Sequence, residues 1–478
     1  MTKQWAAPVV PEVKMPISER TAFDKQSTST VDQWLDAEQR FLAQKRDDPA
    51  SPYFQGDRRA SVDRRRFMLG SIASIGATAA MSSRTASAAP LGSAQREVPA
   101  DPSKVQGAPL DDESYGLRSQ FETEVRTRYK TSTPLSSWTF TPLEKGCGII
   151  TPSGLHFERS HGGTATIDPS KHSLYVHGMV NQPKKYSMKD IRRFPSMSRI
   201  MFLECSGNGL TEWSKPTLKT VQGTHGLTST SEWTGVPLST ILNEVGVKPG
   251  AKWLLAEGDD AAAMTRSIPI AKAMKDCFLA YGQNGEAMRP EQGYPLRLMV
   301  PGYEGNMNIK WLRRLEVSDK PFMTREETSK YTDLLPNGKA VQFSFEMEAK
   351  SVITSPSGEM MLDGPGFYEI TGIAWSGRGA IKRVDVSADG GKTWRAAALQ
   401  GPVLPICHTR FRFPWNWNGQ EAVLQSRCVD ETGYVQPTLG QLIAVRGLNG
   451  PLGSIYHLNA IQSWMVARDG KVSNVHHY

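Results

Sequence analysis

Cysteine is scarce in this chain: 478 residues hold five, at positions 147, 205, 277, 407 and 428, too few and too dispersed for a disulfide scaffold. Neither C-x-x-C nor C-x-x-C-H occurs, which argues against a zinc ribbon and against covalently attached c-type haem. Charge of one sign is also not concentrated. Lys and Arg number 56 against 48 Asp and Glu, and residues 1–88 carry +3 of the net +8, so no single element bears a nucleic-acid footprint. No apolar run reaches the roughly 18 to 20 residues of a membrane-spanning helix, and no internal repeat is evident. What remains is an ordinary globular mixture, 39% hydrophobic and 22% charged with 42 Gly and 31 Pro, long enough for about three domains of 100 to 200 residues each.

The segment Asp63-Arg64-Arg65-Arg66-Phe67-Met68-Leu69-Gly70 precedes an uncharged stretch that ends before Arg84, and Ala86-Ser87-Ala88 supplies small residues for cleavage. Two adjacent arginines, a spacer, then Phe and Met resemble a twin-arginine signal, which exports proteins already folded around a cofactor. Periplasmic location, with no membrane anchor after cleavage, is the expectation. The alternative is a basic loop before an Ala-rich helix. About sixty polar, Pro-interrupted residues come first, with one possible short helix over 31–46, so the signal has a long leader or translation starts after Met1.

The expected domains are an extension with the signal at 1–88 (its core 57–88), an arm at 89–147 with a charged helical stretch near 114–129, a mixed α+β domain at 148–335, and an all-β sandwich with a C-terminal tail at 336–478. In the α+β domain, 172–180 and 199–203 read as strands, 237–245 as a helix, and Ile270, Met274, Cys277, Phe278 and Tyr281 repeat a helical spacing that makes Cys277 a buried thiol. In the sandwich, 366–375, 381–388, 393–399, 407–414 and 422–429 read as strands, with Asp389-Gly390-Gly391 at a hairpin. A second hairpin over 414–420 would set Cys407 opposite Cys428, either as neighbouring thiols or as a disulfide.

The segment Phe202-Leu203-Glu204-Cys205-Ser206-Gly207-Asn208-Gly209 delivers a cysteine from a buried strand into a turn of small residues, where a bulky ligand can approach the backbone. A thiolate suits a soft metal, although a strand-end cysteine can equally be core. Phe157-Glu158-Arg159-Ser160-His161 places Arg159 and His161 on one side of an extended segment, and Arg offers the bidentate fork that a small oxyanion needs. Gly293 to Gly305, followed by Ile309-Lys310-Trp311-Leu312, reads as strand, bend and strand, with Arg297 and Lys310 at hand for a phosphate or simply as surface charge.

Taken in order, these segments resemble the sulfite oxidase family of mononuclear molybdenum enzymes. In the second half Ala374-Trp375-Ser376-Gly377, Arg383-Val384-Asp385-Val386-Ser387, Asp389-Gly390-Gly391-Lys392-Thr393-Trp394 and Tyr434-Val435-Gln436-Pro437 resemble that family's immunoglobulin-like dimerisation domain. The resemblance implies a molybdopterin cofactor, no haem in this chain, and a molybdenum ligand at Cys205. It implies that Phe157, Arg159, His161, Asp259, Arg297 and Lys310 hold the cofactor, and that Arg159, Tyr331 and Arg446 form the substrate pocket. Departures from the family's sulfite-oxidising pattern are Ser160 between Arg159 and His161, Ser206-Gly207-Asn208-Gly209-Leu210 after the cysteine, and Gln292 in place of a histidine. With the export signal and arm, they resemble the branch that oxidises sulfane sulfur on a carrier protein during thiosulfate oxidation and passes electrons to a c-type cytochrome subunit. A homodimer of this chain within a hetero-oligomer is the implied assembly. The alternatives are a periplasmic sulfite dehydrogenase and a non-catalytic exported binding protein.

Overall fold

The computed structural model describes residues 115–131, 133–329, 331–448 and 457–476. The signal segment, the possible helix over 31–46 and the first part of the arm, 89–114, lie outside these residues. Two compact units divide the chain, 1–118 and 119–478, and every strand and helix among the described residues belongs to the second.

Strands dominate. Arg297–Met299 and Thr228–Pro237 flank Phe278–Gln283, and Thr228–Pro237 pairs along its length with Met197–Glu204. A second sheet runs Lys184–Ser187, Ser173–Gly178, Leu312–Ser318, Trp253–Gly258, Thr265–Pro269, with a parallel pairing between Ser173–Gly178 and Leu312–Ser318. The helix Leu238–Val245 buries Leu238, Ile241, Leu242 and Val245, the face its spacing predicts, against Leu174, Val176, Leu254 and Leu279. It ends at Gly246, whose φ of 67° suits glycine and where a Cβ would lie 2.7 Å from Asn181 Nδ2. A small sheet of Thr127–Tyr129, Ser137–Phe140 and Glu158–Ser160 completes this half.

From residue 350 onward two antiparallel sheets face each other. One orders Lys350–Ser355, Gly366–Trp375, Thr409–Trp417, Ala398–Gln400; the other Arg395–Ala396, Ile381–Ser387, Ala422–Asp430, Ser463–Val466, Val472–Val475. Trp464 Nε1 donates to the Ile353 carbonyl at 3.1 Å and Ser351 Oγ meets Ser426 Oγ at 2.9 Å, so the sheets are stitched across a layer containing Val352, Phe411 and Leu424. The Asp389-Gly390-Gly391 hairpin forms, with Val386 opposite Arg395.

Four local expectations are corrected. Residues 115–126 form no helix, because Tyr115, Leu117, Phe121 and Val125 are exposed and an apolar stripe there would have nothing to pack against; Thr127–Tyr129 is a strand. The helix Ile270–Lys275 stops at Asp276, and Phe278–Gln283 is a central strand; a strand buried on both faces is a continuous apolar run that mimics helical spacing. The run over 393–399 is two short strands in different sheets. Finally, Thr409–Trp417 and Ala422–Asp430 do not form a hairpin. Thr409–Trp417 pairs with Gly366–Trp375, the chain then crosses to the other sheet, and Cys428 stands opposite Val384. Cys407 and Cys428 are buried free thiols, and Cys407 Sγ reaches the Ile200 carbonyl at 3.1 Å.

Candidate active site

The floor of an enclosed cleft in the first half is the end of Met197–Glu204. Met201, Phe202 and Leu203 anchor this strand in the interior, so Cys205, the next residue, is held at the sheet margin. Its N–H donates to the Leu227 carbonyl at 2.9 Å and its carbonyl accepts from Asn208 N at 2.9 Å, closing a turn that Gly209 completes at a φ of 87°. A Cβ on Gly305 would lie 2.7 Å from the Glu204 carbonyl and 3.3 Å from Cys205 Cα, so the 3₁₀ turn Gly305–Met307 presses bare backbone against the backbone that carries the thiol. Burial pushes the Cys205 thiol up; the Gly207 backbone and the Arg159 charge pull it down.

The cleft, about 680 Å³ with its mouth, is lined by Phe157, Arg159, His161, Cys205, Arg297, Lys310 and Tyr331, seven residues the sequence singled out. Arg159 projects from Glu158–Ser160 over the Trp138 ring, 5.2 Å from its centroid. It donates to Ser136 Oγ at 3.2 Å and, through Nη2, to His161 Nδ1 at 3.1 Å. Because Nδ1 accepts, the neutral imidazole carries its proton on Nε2, which lies 3.4 Å from the Tyr331 hydroxyl. Three side chains predicted separately thus form one chain of contacts.

Behind them stand two cations, Arg297 buried and Lys310 nearly so. Lys310 Nζ donates to the Arg159 carbonyl at 3.0 Å, Ser160 Oγ at 2.8 Å and the Glu291 carbonyl at 3.1 Å, with Glu158 at 3.8 Å. Burial, partly offset by Glu158, brings its ammonium down to about 8. Arg297 donates to the carbonyls of Asn308 (3.2 Å) and Gln292 (3.1 Å) and to Gln292 Oε1 (3.2 Å). Its hydrogen-bond acceptors are uncharged, and burial lowers it to about 9.

Two predicted residues lie elsewhere. Asp259 faces an open surface hollow beside Tyr175 and Arg314 and pairs with Arg313 at 3.8 Å, whereas Asp260 lines the cleft: which of two adjacent acids turns inward depends on how the chain leaves Trp253–Gly258. Arg446, at the end of the helix Leu439–Arg446, does not line the cleft and donates to Glu348 Oε1 at 2.8 Å. The sequence reading also missed Arg266, fully buried, 4.9 Å from the Tyr331 ring and paired with Glu304 at 3.2 Å. It missed Asn306, which lines the cleft and donates to Glu304 at 2.8 Å and Ser206 Oγ at 3.3 Å. Arg266 sits in an ordinary strand, Thr265–Pro269, so no local motif marks it.

Known proteins share both halves of this chain. Residues 161–326 match the oxidoreductase molybdopterin binding domain, and 341–463 the Mo-co oxidoreductase dimerisation domain. Sulfite oxidase of Gallus gallus is 31% identical over 344 residues, 65% of this chain and 72% of that protein. Mitochondrial sulfite oxidase of Mus musculus is 31% identical over 347 residues, 66% of this chain, which spans only 62% of the mouse protein. Among solved structures, the sulfane dehydrogenase SoxCD from Paracoccus pantotrophus aligns with a TM-score of 0.75 and 47% identity, covering 78% of this chain and 98% of that one.

Proposed function

Because this chain belongs to the sulfite oxidase family of molybdopterin oxidoreductases, we propose that it oxidises carrier-bound sulfane sulfur by oxygen-atom transfer and hands the electrons to a c-type cytochrome subunit. The 47% identity to a sulfane dehydrogenase over nearly the whole of that chain carries this reading.

The residues present fit the cofactor. Cys205 offers a soft sulfur donor at the cleft floor. Arg297 spends its hydrogen bonds on uncharged acceptors, and the donor set of Arg297 and Lys310, both held below their ordinary range by burial, suits an anionic phosphate that would stabilise both charges. Phe157 and His161 would flank the pterin. When bound, the molybdenum centre supplies two-electron oxidation coupled to oxygen-atom transfer. Arg159, held by Ser136 and stacked on Trp138, would orient the oxygens that develop on sulfur. Tyr331, braced by His161 and the Arg266 guanidinium, would donate to a substrate oxygen. Arg446 is assigned no contact with substrate, since Glu348 compensates its charge.

On the same reading residues 148–335 hold the cofactor, 336–478 form an immunoglobulin-like domain that pairs two copies, and the twin-arginine segment exports the chain to the periplasm. A sulfite dehydrogenase is the second reading, favoured by the 31% identity to sulfite oxidases. Steady-state turnover of the purified enzyme with its cytochrome, using free sulfite and persulfidated carrier protein, separates the two. We expect kcat/KM to favour the carrier at least about 100-fold. The reverse preference assigns free sulfite as substrate, and absence of turnover in a molybdenum-replete preparation leaves a binding protein.

A further inference from the structure

Glu204 directly precedes Cys205, and its carboxylate is wholly enclosed. Oε1 accepts from Asn208 Nδ2 at 2.9 Å and from Lys350 Nζ at 3.1 Å; Oε2 accepts from Trp375 Nε1 at 2.7 Å. The side chains of Lys350 and Glu204 are 2% and 1% exposed. Lys350 and Trp375 are not neighbours in sequence. They are directly opposed residues on Lys350–Ser355 and Gly366–Trp375, so the antiparallel register projects both from one face of the second half's sheet toward the first half's strand end. Lys350 Nζ donates a further bond to the Asn208 carbonyl at 3.1 Å, and its charge lies 5.8 Å from the Trp375 ring. Both ends of the Cys205–Asn208 turn are therefore gripped by one ammonium: through Glu204 before the thiol and through Asn208 after it.

A buried ion pair is weak evidence for stability, because apolar residues of similar volume are often no less stable. This pair does something an apolar pair could not: it supplies directional bonds to a turn whose own backbone closes only one, from Asn208 N to the Cys205 carbonyl. Asn208 Oδ1 passes the constraint on by accepting from Leu227 N at 3.1 Å, while the Leu227 carbonyl accepts from Cys205 N. Gly209 leaves room for the grip, since a Cβ there would stand 2.8 Å from Leu458 Cδ2 and 3.6 Å from Lys350 Nζ.

We propose that Lys350 and Trp375 are positioning residues that reach from the second half of the chain, through Glu204 and Asn208, to set the geometry of the turn bearing the Cys205 thiol. The inference rests on Cys205 as the functional thiol and on no particular substrate.

The test uses the full chain with Glu204→Gln and Lys350→Met combined, which removes both charges at nearly constant volume, and Trp375→Phe, which removes one hydrogen bond. Amide hydrogen exchange, resolved by peptide, is read in the chain made without pterin. Exchange over 205–209 should rise at least tenfold in the double variant and less in Trp375→Phe, with 197–203 unchanged and the thermal midpoint within about 3 °C of the parent. In the loaded enzyme kcat should fall at least tenfold with KM held within twofold. Uniform loosening of both segments, or unchanged exchange at the turn, overturns the proposal. Should the double variant fail to fold, Trp375→Phe decides by the same criterion. Because exchange is measured without substrate, a wrong substrate assignment leaves this result standing.

Discussion

Cys205 differs from the other four cysteines in its company. Cys277, Cys407 and Cys428 are buried, and burial pushes each thiol well up. Cys147 is exposed. Cys205 alone meets an arginine charge, a glycine backbone and an open cleft together. Serine keeps the volume but replaces a soft donor with a hard one. Cys205→Ser should therefore melt within about 2 °C of the parent, since the turn's bonds are made by backbone and Asn208, while turnover falls at least about 1000-fold. Calorimetry and a cytochrome-reduction assay check both halves; retained turnover would remove Cys205 from the site.

At the scale of elements, the cross-over after Thr409–Trp417 governs the thiols. A tight hairpin would align Cys407 with Cys428, but Thr409–Trp417 is paired along one edge with Gly366–Trp375, and on the other edge Ala398–Gln400 takes Arg410–Arg412, the stretch next to Cys407 that such a hairpin would need. Cys428 instead belongs to the opposite sheet, beside Val384. Alkylation of the purified protein after unfolding without reduction should label both peptides, and mass spectrometry should find no linked pair. A linked pair would contradict the strand order.

For the whole molecule, buried histidines of opposite character set the pH dependence. Burial lowers His156 and His408 to about 3 and holds His225 and His172 below their ordinary value, so each is neutral when folded. The unfolded chain takes up protons at these positions as pH falls below about 6.5, and stability falls with it. His457 is opposite: burial alone would lower it, yet Glu304 at 3.4 Å and Glu348 at 3.6 Å raise it to about 10. Its contribution is complete below about 6.5 and is lost as pH rises toward 10. Between pH 6.5 and 8, before Lys310 begins to titrate in the opposite sense, stability should decline by up to about 1.4 kcal/mol per pH unit. Denaturant unfolding of the unloaded chain should thus show a maximum near pH 6.5. His457→Gln should lower stability at pH 6.5 and flatten the slope above it; an unchanged slope would mean that His457 is not the cation.

Much of this architecture is local and was legible in the chain. The amphipathic spacing of Leu238, Ile241, Leu242 and Val245, the Asp389-Gly390-Gly391 turn, the cysteine set after a buried strand, and the alternation that puts Arg159 and His161 on one side all follow from backbone periodicity. Tertiary structure alone decided the rest. Phe278–Gln283 is a strand because two partners flank it, and Thr409–Trp417 stays apart from Ala422–Asp430 because Gly366–Trp375 fills one edge and Ala398–Gln400 takes Arg410–Arg412 on the other. Asp260 rather than Asp259 enters the cleft, Glu348 compensates Arg446, and Lys350 meets Glu204 across 146 residues of chain. Each of these depends on which surfaces meet after folding. A sequence states the period of a segment, but a buried charge is matched by whatever the packed chain brings beside it.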